Sequence, residues 1–110
     1  MIYELRRYEC LPGKLPALHD LMQRAAVPVF EKHGMKVIGA WQPVVGDDEG
    51  TLIYLLAFDS MDERMRKWDA FYADAEWKEK RAQIAKEVGG PIVNRSSNVF
   101  LSPASYSPLK

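Results

Sequence analysis

The chain has 110 residues, enough for one domain with a single core and too few for two. Hydrophobic residues make up 47% and charged residues 27%, the balance of a folded globule rather than a disordered segment. With 15 basic against 15 acidic side chains the net charge is zero, which argues against nucleic acid or an anionic membrane as a partner.

Residues 2–10 are rich in β-formers and stop at Leu11-Pro12-Gly13, a turn signal. Residues 14–33 follow with Leu15, Leu18, Met22, Ala26, Val29 and Phe30 on one helical stripe. Pro28 lacks a backbone N–H and is expected to kink or restart this helix, and Gly34 ends it. Residues 35–45 read as a second strand, where Pro43 implies an edge position or a bulge. The acidic stretch 46–50 is read as a hairpin tip, and residues 51–58 form the strongest strand. Ser60-Met-Asp-Glu63 matches a capping box. The helix after it carries Met61, Met65, Trp68 and Tyr72 on one stripe. Asp74 then caps a segment bearing Trp77, Ile84 and Val88, which Gly89-Gly90-Pro91 closes. Residues 92–101 form a last strand, and 102–110 a tail with two prolines.

The order β-α-β-β-α-β predicts an α+β, ferredoxin-like domain over residues 1–110, with a four-stranded antiparallel sheet and its helices on one face. In 51–58 both alternating sets, Thr51/Ile53/Leu55/Ala57 and Leu52/Tyr54/Leu56/Phe58, are apolar, so both sheet faces should be covered. Helices cover one. A second copy packed sheet to sheet covers the other, and a symmetric homodimer is expected; the alternative cover is the short tail. The longest apolar run is 7 residues, far below the roughly 20 that cross a bilayer. The first residues lack a signal-peptide pattern, and the lone Cys10 suits a reducing compartment, so a cytoplasmic protein without a membrane partner is expected.

Several motifs point further. Tyr-Glu-Leu-Arg-Arg-Tyr at 3–8, then Pro12-Gly13-Lys14, resembles the opening of NIPSNAP-domain proteins. Similar too are Lys32-His33-Gly34 before Gly39-Ala-Trp41, Phe58-Asp59-Ser60 before an Arg-rich helix, and Asp74-Ala-Glu-Trp77. In the last, Ala75 replaces the family's usual proline. Leu101-Ser-Pro103 and Tyr106-Ser-Pro108 extend the likeness over nearly the whole chain. The resemblance implies a dimeric α/β barrel and does not deliver a reaction. The wider group includes cofactor-independent oxygenases, isomerases, haem-handling proteins and stress-linked binders, so fold alone names no activity.

Tyr3, Tyr8, Trp41, Tyr54, Trp68 and Tyr72 are expected to line a pocket between sheet and helices for a small apolar or aromatic molecule. Plain core packing of these aromatics, with Phe71, is the alternative. Glu4, Arg6 and Tyr8 share one face of the first strand. They form either a polar cluster in that pocket, with Arg6 or Arg7 holding an anionic group, or an ion-pair network at a dimer interface. In a catalytic reading His19, His33 or Glu4 removes a proton and Arg6 or Arg7 holds the anion. A third reading is a non-catalytic interaction module. The two histidines are 14 positions apart, about 21 Å along a helix, and no metal-ligand spacing occurs. No cofactor is expected; a haem would need an axial histidine, which either could supply. Cys10 reads as a structural thiol, and Asp47, Asp48 and Glu49 lack calcium-loop spacing.

Overall fold

The computed structural model describes residues 1–46 and 50–110. Its elements are β1 (Ile2–Cys10), α1 (Leu15–Leu21), a π-helical turn (Met22–Ala26), α2 (Val27–Lys32), β2 (Lys36–Trp41), β3 (Thr51–Phe58), α3 (Met61–Ala73), α4 (Ala75–Val88) and β4 (Val93–Leu101). The strands form one antiparallel sheet in the order β2-β3-β1-β4. This is the ferredoxin-like order, with each helical region divided into pieces. Asp47, Asp48 and Glu49, and with them the expected acidic hairpin tip, lie outside the described residues.

The first helical region breaks where Pro28 demands it. A proline ring clashes with the carbonyl four residues back and offers no N–H. The chain widens by one residue before it: the Val27 N–H bonds to the Met22 carbonyl, five positions away, and α2 restarts. The break thus falls one turn ahead of the proline.

β2 is shorter than the expected 35–45 and stops at Trp41. Pro43 lies beyond the strand rather than inside it, because a residue without an N–H cannot extend the ladder. The edge position and a bulge are both present, the latter as a register shift between Val37 and Gly39. A Cβ at Gly39 would sit 2.6 Å from the Trp41 ring, so the tryptophan lies across a gap that only glycine leaves.

Both caps in the second half form. Ser60 Oγ accepts from the Glu63 N–H at 3.1 Å, and the Glu63 carboxylate reaches back to the Asp59 N–H, one residue earlier than in the usual box. Asp74 Oδ1 accepts from the Glu76 and Trp77 amides, and Gly89 closes α4 at φ 79°. The buried face of α3 departs from expectation. Trp68 and Phe71 are buried, while Met61, Met65 and Tyr72 are about half exposed. The helix is rolled so that Arg64 and Trp68 both face a charge on the sheet, and that rotation takes Met61 and Met65 outward.

The core lies between sheet and helices. Leu52, Tyr54, Leu56 and Phe58 of β3 meet Leu18, Val29, Phe30, Trp68 and Phe71. The opposite sheet face carries Leu5, Ile53, Leu55, Val99 and Leu101; antiparallel partners share a face, and Leu5 lies between Leu55 and Val99. Val99 and Leu101 are 48% and 41% exposed, so part of that face meets solvent, while Tyr3 and Thr51 on the same face are buried.

Candidate functional site

A carboxylate sits at the centre of the helix-facing side of β1. Glu4 is fully buried, and its two oxygens accept five hydrogen bonds from four residues. Arg6 Nη1 donates at 2.7 Å, Arg64 at 3.0 and 2.9 Å, Trp68 Nε1 at 3.0 Å and Asn98 Nδ2 at 2.8 Å. Burial by itself pushes this carboxyl up, but the bonds from Arg64, Asn98, Trp68 and Arg6 outweigh it and bring the pKa down to about 2. With two guanidiniums on one carboxylate, the cluster carries one net positive charge. This places Glu4 and Arg6 under the helices, so the network is not on the sheet face open to a second copy.

Arg6 continues the network. It stacks over the Trp68 ring at 4.4 Å and donates from Nε and Nη2 to the Tyr8 hydroxyl, at 3.2 and 3.1 Å. Tyr8 and Tyr54 hydroxyls are 2.9 Å apart. Burial raises the Tyr54 pKa well above the usual phenol value, so Tyr54 stays protonated.

This polar row forms one wall of a cavity of about 790 Å³ between sheet and helices. Phe30, Trp68, Phe71, Tyr72 and Trp77 supply aromatic walls. Their rings pack in sequence: Phe30 on Phe71 at 4.8 Å, Phe71 on Trp77 at 4.5 Å, and Trp68 stacked with Tyr72 at 5.4 Å. Met22 and Ala26 of the π-helical turn line the same space, a common location for such turns. Lys78 and Arg81 stand on its α4 side.

Of the expected residues, Arg6, Tyr8, Tyr54, Trp68 and Tyr72 come together here. Tyr3 and Arg7 do not. They alternate with Glu4 and Arg6 along β1 and lie on the opposite face, where Tyr3 is buried. Trp41 lies at the β2 edge and lines a second recess with His19 and Gln42, which shares Met22 and Tyr54 with the first cavity. His19 Nε2 is 2.7 Å from Gln42 Oε1 in that recess. His33 ends α2, with Nε2 2.8 Å from Asp74 Oδ2, which also takes Lys32 at 2.8 Å. Neither histidine lines the larger cavity, so a haem there would meet no histidine among its described walls. Glu4 is a poor general base, since its oxygens are occupied and its proton affinity is low. Burial raises the Cys10 thiol, which suits a structural role. Among the described residues, no group of three or more His, Cys, Asp or Glu is placed to hold a metal, and no helix is long and apolar enough to cross a membrane.

Sequence reasoning missed Arg64 and Asn98. Arg64 had a signal: it stands four residues before Trp68 on the same helix face. Asn98 had none, because it reaches Glu4 only through the Arg6–Asn98 register of β1 and β4.

The NIPSNAP family model matches residues 3–108. A NIPSNAP family protein of unknown function from Agrobacterium tumefaciens superposes with a TM-score of 0.85 at 23% identity, covering 100% of this chain and 94% of that one. An uncharacterized NIPSNAP domain protein from Burkholderia xenovorans gives 0.82 at 22%, covering 98% and 99%. A putative antibiotic biosynthesis monooxygenase from Nitrosomonas europaea gives 0.63 at 11%, covering 94% and 98%. The four-stranded antiparallel α+β fold is therefore shared with these proteins. No curated protein matches the sequence.

Proposed function

The chain belongs to the NIPSNAP family, and from that premise we propose that it binds a small, largely aromatic molecule in the cavity between sheet and helices, as one half of a homodimer. The carrying observation is an open space of about 790 Å³, within the range of small-molecule sites, bounded by aromatic rings and by one wall of organised polar groups. Rings from α2, α3 and α4 shape a slot for a flat ligand, and Arg6, Tyr8 and Tyr54 fix its polar end. An interaction module that used the barrel only to dimerise would have no use for this interior space. An oxygenase or isomerase reading would need a proton acceptor other than Glu4, His19 or His33.

The homodimer rests on the solvent-exposed part of that sheet face. Leu5, Ile53 and Leu55 are half-buried there, beside the exposed Val99 and Leu101. A second copy of the same sheet removes this patch from water. The single thiol suits a reducing compartment such as the cytoplasm.

Native mass spectrometry of the protein purified from its own host tests both parts. The expected result is a dimer carrying extra mass that denaturation releases. A monomer would overturn the sheet-to-sheet dimer. A bare dimer that also takes up no aromatic compound would overturn the binding role.

A further inference from the structure

We infer that the cavity's ligand is an aromatic molecule bearing an oxygen acceptor, such as a ring ketone, received by the Tyr54 hydroxyl as donor. This rests on the binding role proposed above and follows from the direction of the hydrogen bonds along the polar wall.

A phenol oxygen has room for about two incoming donors and carries one hydrogen to give. The Tyr8 oxygen already accepts from Nε and Nη2 of Arg6. Both are N–H groups that cannot accept, so the direction is fixed. With its oxygen taken up by Arg6, Tyr8 is assigned as the donor to Tyr54, whose oxygen is 2.9 Å away, a distance at which either hydroxyl can donate. On that assignment Tyr54 accepts, and its own hydrogen has no acceptor among the described residues. The residue is 1% exposed and lines the cavity. A buried hydroxyl proton without an acceptor carries a free-energy penalty that a ligand oxygen removes.

Two further features agree. Arg6, which lines the same cavity, uses three of its five N–H groups on Glu4 and Tyr8, leaving hydrogens on Nη1 and Nη2. The cluster of Glu4 with Arg6 and Arg64 also has one positive charge in excess, which favours partial negative charge on the ligand. A ring compound whose polar group only donates would meet donors and be rejected.

The test uses 1-tetralone and tetralin, which share a bicyclic skeleton and differ in the ketone oxygen. Affinities for the wild-type protein and for Tyr54→Phe come from ligand-observed NMR titration. Tyr54→Phe should weaken 1-tetralone about fivefold, the worth of one neutral hydrogen bond. Tetralin should change by less than about twofold, the usual error of additivity. In the wild-type protein, the infrared carbonyl stretch of bound 1-tetralone should lie below its frequency in hexane, and this reading does not depend on the variant folding. Binding of both compounds with no Tyr54→Phe effect and an unshifted stretch would overturn the donor assignment while the aromatic cavity stands. Binding of neither would overturn the cavity reading and the donor with it.

Discussion

Glu4 and Asp74 are both nearly inaccessible carboxylates surrounded by donors, yet they are built in opposite ways. Asp74 collects amides from the two and three positions that follow it, and adds Lys32 and His33 from the end of α2. Its pKa falls below the usual carboxylate range chiefly through Lys32 and then His33. Lys32 is half exposed, so water shares this site. Glu4 uses no neighbouring amide. Its side-chain donors come from β1, α3 and β4, and none of its surface reaches water. The first arrangement is a helix cap strengthened by cations. The second requires the tertiary fold and holds the polar wall of a cavity in place.

The largest test of this difference is Glu4→Ala. It leaves the part-buried Arg6 facing Trp68 without its counter-charge, and should cost about 3 kcal/mol in urea unfolding. A loss below about 1 kcal/mol, the range of exposed pairs, would place Glu4 with surface ion pairs.

Acid should reveal the same site. The Glu4 pKa is about 2 in the fold against an ordinary 4.5, so folding favours its ionised form. That contribution is complete above about 4.5 and is lost as the pH falls through about 2. Asp74 adds loss of the same sign. Stability measured from pH 5 to pH 2 should fall, and more steeply in the wild-type protein than in Glu4→Gln.

Asp74→Ala should lower the melting temperature less than Glu4→Ala, because partly exposed cations regain water when it is removed. Equal losses for the two would erase the contrast between them. Ser60→Ala is expected to be the mildest, about 1 kcal/mol, since it removes one cap bond at the exposed start of α3. Thermal melts of the two cap variants give their order.

The amino-acid sequence by itself determined the element order, both α3 and α4 caps, the break forced by Pro28 and the two-sided character of β3. Each rests on contacts within a few residues or on a period along one strand or helix, which a linear chain displays. Tertiary structure alone decided which way the charged side of β1 faces. Glu4-Leu-Arg6-Arg7-Tyr8 mixes charge and apolar groups on both faces, so alternation separates the two sets without saying which one the helices cover. It also decided the roll of α3. The apolar positions 61, 65, 68 and 72 form a credible stripe, yet pairing Arg64 and Trp68 with the buried Glu4 turns Met61 and Met65 to solvent. Desolvating a carboxylate without partners is far more unfavourable than exposing two methionines, and that inequality between distant residues fixes the site.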